Sequence, residues 1–242
     1  MPKNNTIALI TGANKGLGLE TARQLGLKGI KILLGSRSKK RGIQALELLK
    51  HDGIDAEIII LDVNKQNTIN AAVSKVKHKF KKLDILINNA GISIQREIPS
   101  KTRMSELRKT MDTNFFGVFA VTNAFLPLLR KSKAGRIVNV SSGLGSLFKL
   151  SDPNWVGAKS RSTAYSISKV ALNALTVLFA KELKDTQIKI NSINPGSTAT
   201  SLNQFRGIKK PVESVKIIVY YATLPKDGPT GGFFSELGKE PW

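Results

Sequence analysis

The chain has 242 residues, 41% of them hydrophobic, enough for one large domain or two small ones with a sizeable core. Its 38 Lys and Arg against 17 Asp and Glu give a net charge of +21, which attracts nucleic acid, anionic lipid or phosphorylated metabolites without specifying any of them. The lack of cysteine excludes disulfides and thiolate metal sites.

Residues 1–6 lead directly into a strand-like run, without the apolar region and cleavage site of a signal peptide. No run of 18 apolar residues offers a membrane span, so a soluble, cytoplasmic protein is the expectation. The basic residues are spread along the chain, with clusters at 37–41, 75–82 and 130–136. No aromatic residues interleave with them as single-strand stacking platforms require, so no specific nucleic-acid partner is expected.

Residues 6–10 (Thr-Ile-Ala-Leu-Ile) form a short apolar run suited to a buried parallel strand. Thr11-Gly12-Ala13-Asn14-Lys15-Gly16-Leu17-Gly18 follows at once, then a helical pattern over 19–27. A strand, a glycine-rich turn and a helix start can bind a pyrophosphate. Glycine lets the backbone approach the anion, and the helix N-terminus presents unpaired N–H groups. The glycine spacing differs from G-x-G-x-x-G, and no Gly-Lys-Ser/Thr phosphate loop is present. A second strand over 30–35 runs into Ser36-Arg37-Ser38-Lys39-Lys40-Arg41. In a dinucleotide-binding unit this position meets the adenosine ribose, where an acid suits a 2′-hydroxyl and a base a 2′-phosphate. No Asp or Glu stands there, and Arg37 with Lys15 can pair with phosphate. The expected cofactor is therefore NADP(H) and not NAD(H).

Helix and strand continue to alternate: helix 41–51, strand 57–61 ending in Asp62-Val63, helix 67–80, and strand 83–87 ending in Asn88-Asn89-Ala90-Gly91. Helices over 104–112 and 114–129 precede a strand at 135–140, which ends at Ser141-Ser142. A helix from near Thr163 to about Lys184 carries Tyr165 and Lys169, four apart and so on one face. A phenol titrates near pH 10; a cation beside it lowers that value and makes it a usable proton donor. The strand 189–193 then leads to Asn194-Pro195-Gly196. Repeated βα alternation with no linker, repeat or low-complexity tract predicts one α/β domain over 1–242. Its fold is a Rossmann-type doubly wound parallel β-sheet flanked by helices on both faces. The chemistry-bearing residues all follow strands, the edge where such sheets bind ligands.

Taken in order, Thr11 to Gly18, Asp62, Asn88 to Gly91, Asn114, Ser142, Tyr165 with Lys169, and Pro195-Gly196 followed by Thr200 resemble the short-chain dehydrogenases/reductases over nearly the whole chain. The Asn14-Lys15-Gly16 turn, Arg37 with Arg41-Gly42, and the stretch 224–234 look like the carbonyl reductase branch. The resemblance implies that Tyr165 donates a proton to the developing alkoxide and that Lys169 lowers its pKa and holds the nicotinamide ribose. It implies that Ser142 bonds the carbonyl oxygen and that Asn114 interrupts its helix and relays protons. Gly12, Asn14, Lys15, Gly16, Leu17, Gly18, Arg37, Arg41, Asp62, Val63, Asn89, Ala90, Gly91, Pro195, Gly196, Thr198 and Thr200 would bind the cofactor. Asp62 and Val63 would lie at the adenine, and Thr200 at the carboxamide.

The segment of about 143–162 is longer than the commonest family spacing and shorter than the insertion of the animal carbonyl reductases. That insertion accompanies a monomeric state, so monomer and homo-oligomer both stay open. Ile92 to Ile94, residues 143–162 and residues 201–210 are expected to build the substrate pocket. They bring Leu147, Phe148, Trp155, Leu202 and Phe205, and suit an apolar or aromatic ketone, aldehyde or quinone. The alternatives are a catalytically idle NADPH sensor and a basic protein that associates with nucleic acid.

Overall fold

The computed structural model describes residues 5–94 and 97–242, so most of the leader-free start expected for residues 1–6 lies outside the described residues. The strands are β1 (Ile7–Ile10), β2 (Lys31–Ser36), β3 (Ala56–Ile60), β4 (Ile85–Asn88), β5 (Arg136–Val140), β6 (Lys189–Ile193), β7 (Phe233–Ser235) and β8 (Gly238–Lys239). Their order across one sheet is β3-β2-β1-β4-β5-β6-β7-β8, all parallel except β8, which pairs antiparallel with β7. The chain starts in the middle of the sheet, winds out to β3, returns to β4 beside β1 and winds out the other way. This is the doubly wound arrangement that the alternation predicts.

The helices are α1 (Gly16–Leu27), α2 (Lys39–His51), α3 (Gln66–Phe80), α4 (Met104–Met111), α5 (Gly117–Leu129), α6 (Leu147–Ser151), α7 (Thr163–Glu182) and α8 (Pro211–Ala222). Side chains of successive strand residues point to opposite faces, and the two cores follow that period. Ile7, Leu9, Leu33, Leu86, Ile137 and Ile190 face one core with α3, α5 and α7. Ala8, Ile10, Ile32, Leu34, Ile87, Val138 and Ile193 face the other with α1, α2 and α8. Both faces of the sheet are covered, which is why β1, β4 and β5 are buried throughout, polar Asn88, Arg136 and Asn139 included.

Helix α7 is long and apolar enough to cross a membrane by length and composition. Here Leu172, Leu175 and Phe179 bury one side of it against the sheet, so it serves as a core helix. At the opposite end of the sheet from the site, the buried Arg136 guanidinium donates to the carbonyl oxygens of Leu224, Pro225 and Gln187 and ties down the chain leaving α8.

Three features depart from the sequence expectation. The helix expected from Asn114 starts at Gly117, because Asp112–Phe116 forms a π-helical turn between α4 and α5. Helix α8 lies beyond the predicted elements, although Pro211 at its first turn and Val215, Ile218, Val219 and Ala222 at helical spacing announce it. Strands β7 and β8 also extend the sheet past β6; both are too short to show a period.

Candidate active site

The turn after β1 is built for close approach. Gly12 and Gly16 have positive φ values of 63° and 56°, which L side chains rarely adopt. A Cβ on Gly12 would stand 3.0 Å from Ala90 Cα, and one on Gly18 would stand 2.5 Å from Asn89 Nδ2. Asn89 Nδ2 donates to the carbonyl oxygens of Thr11 (2.8 Å) and Gly12 (3.2 Å). Thr11 Oγ1 accepts from the amides of Asn89 and Ala90, both at 3.0 Å. Asn89 and Ala90 therefore hold the glycine turn in shape from the neighbouring strand. Thr11 belongs with them as a positioning group, legible only in its place between β1 and Gly12. Lys15 is the N-cap of α1 and gives it no side-chain cap, so the amides of the first turn keep their donors for a ligand.

Around the turn, Arg37 and Arg41 lie exposed beyond β2 and at the start of α2, and Asp62 and Val63 follow β3. Lys15 Nζ donates 2.7 Å to Ser201 Oγ, across 186 residues of sequence. That bond links the glycine turn to the stretch after Thr200. Thr200 Cγ2 is 3.6 Å from where a Gly16 Cβ would be, so Thr200 closes over the same turn. Pro195 and Gly196 form the bend after β6, with the Gly196 amide donating 3.1 Å to Asn194 Oδ1. Thr198 has a buried hydroxyl that donates 2.6 Å to Ser214 Oγ on α8, so its side chain anchors the loop inward.

On α7, Lys169 is 5% exposed and its Nζ donates 2.7 Å to the Val140 carbonyl oxygen at the end of β5. The Nζ lies over the Tyr165 ring, 5.4 Å from its centroid. Ser142 follows β5 in extended backbone and its Oγ accepts from the Leu144 amide at 3.2 Å. Burial pushes the Tyr165 phenol up to about 12, partly offset by a hydrogen bond with Ser142. The same burial pushes the Lys169 ammonium down to about 8. The ammonium donates to Val140 and faces the Tyr165 ring, and the hydrogen bond with Ser142 draws the phenol downward against its burial.

Asn114 sits at the centre of the π-helical turn and is fully buried. Its Oδ1 accepts from the Ile92 amide (2.8 Å), and its Nδ2 donates to the Ile92 carbonyl (2.9 Å) and Ser168 Oγ (3.0 Å). A Cβ on Gly91 would lie 3.4 Å from Asn114 Oδ1 and 3.8 Å from Lys169 Nζ, so Gly91, Asn114 and Lys169 converge on one spot. Ser168 was missed by the sequence reading; nothing but its place beside Lys169 could have flagged it.

In the expected substrate segments, Trp155 packs over Gly143, where an added Cβ would stand 3.1 Å from the indole. Phe148, Leu202 and Phe205 are exposed at 67%, 40% and 71% and are free to meet a ligand. Leu147 does not share that place. It lines a separate apolar cleft of about 330 Å³ with Val170, Ala174 and Trp242 on α7's outer side.

Residues 6–211 match the family model described as short chain dehydrogenase. The chain is 34% identical to (+)-neomenthol dehydrogenase of Capsicum annuum, with 94% of each chain covered. It is 29% identical to carbonyl reductase (NADPH) 1 of Rattus norvegicus over the full length of both. Those alignments run over 299 and 280 positions, more than the chain has, so both relatives carry residues that it lacks. Among solved structures, salutaridine reductase from Papaver somniferum superposes with a TM-score of 0.82 at 27% identity, covering 96% of this chain and 99% of that one. The chain belongs to the short-chain dehydrogenase/reductase family and is an oxidoreductase of its carbonyl reductase-like branch.

Proposed function

We propose that the protein is an NADPH-dependent reductase of small apolar or aromatic ketones, aldehydes or quinones. The observation that carries this reading is the group at the ends of β5 and α7: the half-buried Ser142 against the half-buried Tyr165 phenol, with the buried Lys169 fixed on Val140 beside them.

The residues present fit the cofactor. The glycine turn holds a cradle that a Cβ at Gly12 or Gly18 would fill, and the uncapped start of α1 suits a pyrophosphate. Arg37, Arg41 and Lys15 offer positive charge to a 2′-phosphate, and no carboxylate follows β2 to favour a 2′-hydroxyl. Asp62 and Val63 would flank the adenine, while Pro195, Gly196 and Thr200 would flank the nicotinamide end. When bound, NADPH supplies the hydride that reduces a carbonyl carbon.

The chain's own residues do the rest. Ser142 donates a hydrogen bond to the carbonyl oxygen and so orients it. Tyr165 gives its proton to that oxygen as negative charge develops there. Lys169, still largely cationic at neutral pH, stabilises the phenolate left behind. Asn114, held by Ile92 and Ser168, lies where a proton can be passed back towards Lys169. A phenol at about 12 keeps its proton at neutral pH, the form that reduction requires and oxidation does not.

The test is NADPH oxidation against a panel of ketones, aldehydes and quinones, with NADH in parallel and Tyr165→Phe as control. Turnover with NADPH that is lost in Tyr165→Phe, while NADPH still binds, is expected. A Tyr165→Phe variant as active as the parent would overturn the assignment. Tight NADPH binding without turnover on any member would favour the idle sensor.

A further inference from the structure

The carboxylate of Glu240, past β8, has no place in the chemistry above, yet the residue is only 5% exposed. Lys149 of α6 forms an ion pair with it, and Asn194 Nδ2 donates 3.2 Å to its Oε1. Its backbone amide donates 2.8 Å to the Phe233 carbonyl oxygen of β7. Burial alone would raise its pKa, but hydrogen bonds from Lys149, Ser235 and Asn194 outweigh that and hold it below the usual carboxylate value, so it is charged at neutral pH.

Both partners of this carboxylate lead to Ser142. Lys149 Nζ lies 5.9 Å from the centroid of the Trp155 ring, and that ring covers Gly143, the residue after Ser142. Asn194 Nδ2 would be 3.3 Å from a Cβ on the same Gly143, and Asn194 Oδ1 holds the Gly196 amide. The neighbours of Glu240 reinforce the docking. Ser146 Oγ donates 2.8 Å to the Pro241 carbonyl, and the Phe148 amide donates 2.9 Å to the Trp242 backbone oxygen. Trp242 in turn stacks on Phe233 with centroids 5.7 Å apart.

We propose that Glu240 is a positioning residue of the substrate pocket. Its buried charge clamps the wall formed by residues 143–159, through Lys149 and Trp155, to the bend after β6, through Asn194, and so sets where the carbonyl meets Ser142. This rests on the reductase reading for its substrate. The clamp itself does not, because it is a contact between two segments that can be observed without turnover. A buried ion pair is costly to break from one side, since the partner left behind is an unpaired buried charge.

The experiment compares wild type with Glu240→Gln, Lys149→Met and the double variant. Glu240→Gln keeps the shape and can still accept from Asn194, but it loses the charge that holds Lys149. The expected result is a carbonyl KM raised about tenfold, with kcat and NADPH affinity within about twofold of wild type. The double variant should be no worse than the worse single one, as for two residues acting through one contact. Amide hydrogen exchange is followed in the same samples. Exchange over 143–159 and 194–200 should quicken together while β4 and β5 stay protected.

Unchanged KM in a Glu240→Gln variant that turns over, or faster exchange confined to 233–242, overturns the clamp. So does a loss of kcat, NADPH affinity and core protection in proportion, which marks general destabilisation. If Glu240→Gln does not fold, Lys149→Met breaks the same contact from its more exposed side and is judged by the same readouts. A wild type that reduces no carbonyl, while Glu240→Gln still loosens both segments together, refutes the reductase reading and supports the clamp.

Discussion

The Lys169 ammonium lies over the face of the Tyr165 ring, 5.4 Å from its centroid, and spends a hydrogen bond of 2.7 Å on the Val140 carbonyl oxygen. The four-residue spacing on α7 does put both groups on one side of the helix. Yet the lysine reaches past the phenol to the end of β5, and the two are coupled through the ring and through shared desolvation.

The pH dependence of the rate follows from that arrangement. Tyr165, pushed up to about 12, stays protonated through neutral pH, so reduction should run at a constant rate from pH 6 to about 8. Above that it should fall as Lys169, pushed down to about 8, loses its charge. Oxidation of the corresponding alcohol needs the phenolate and should climb with pH across the same range. Initial rates in both directions from pH 6 to 10 check this, and an oxidation rate that peaks near neutrality would contradict it.

Stability should respond to pH through Lys169 as well. Its folded pKa, about 8, lies below the ordinary lysine value of 10.5, so between those values the unfolded chain binds more protons and stability rises with pH. Relative stability is fully present above 10.5 and is lost as pH falls through about 8. Lys169→Met removes this buried charge. The melting temperature of the variant minus that of wild type should therefore shrink from pH 7 to pH 10. A constant difference would mean that Lys169 titrates as it does in the unfolded chain.

Arg37 is exposed at the end of β2, and no ion pair is formed by it among the described residues. Arg37→Ala should raise the Kd for NADPH about tenfold or more while leaving that for NADH within about twofold, because only NADPH carries the 2′-phosphate. Fluorescence titrations with both nucleotides measure it. Equal losses would remove Arg37 from phosphate recognition.

Asn114→Ala takes away three hydrogen bonds made by a fully buried side chain, leaving the half-buried Ile92 amide and carbonyl without that partner. Each such group costs about 1–3 kcal/mol, so the melting temperature should fall clearly, and kcat with it. Urea unfolding and steady-state kinetics read the two effects. A variant with unchanged stability would show that Ile92 finds other partners.

The amino-acid pattern alone was enough for strands β1 to β6, their doubly wound order and the edge that carries the chemistry, but not for the short β7 and β8. Burial on both faces of a strand leaves an apolar run in the sequence and burial on one side of a helix leaves a period, and Gly12, Ser142 and Tyr165 are each tied to the end or start of such an element. Tertiary structure alone decided which side chains those residues meet. Val140 takes the Lys169 hydrogen bond and Ser214 takes the Thr198 hydroxyl. Lys15 reaches Ser201 across 186 residues, and Glu240 reaches Asn194 and Lys149 from the far end of the chain. The π-helical turn at Asn114 is set in the same way, since its three partners come from Ile92 and Ser168 on other segments. Periodicity records how buried a side chain is. Its partner, and the resulting pKa, depend on where the folded sheet brings distant strand ends together.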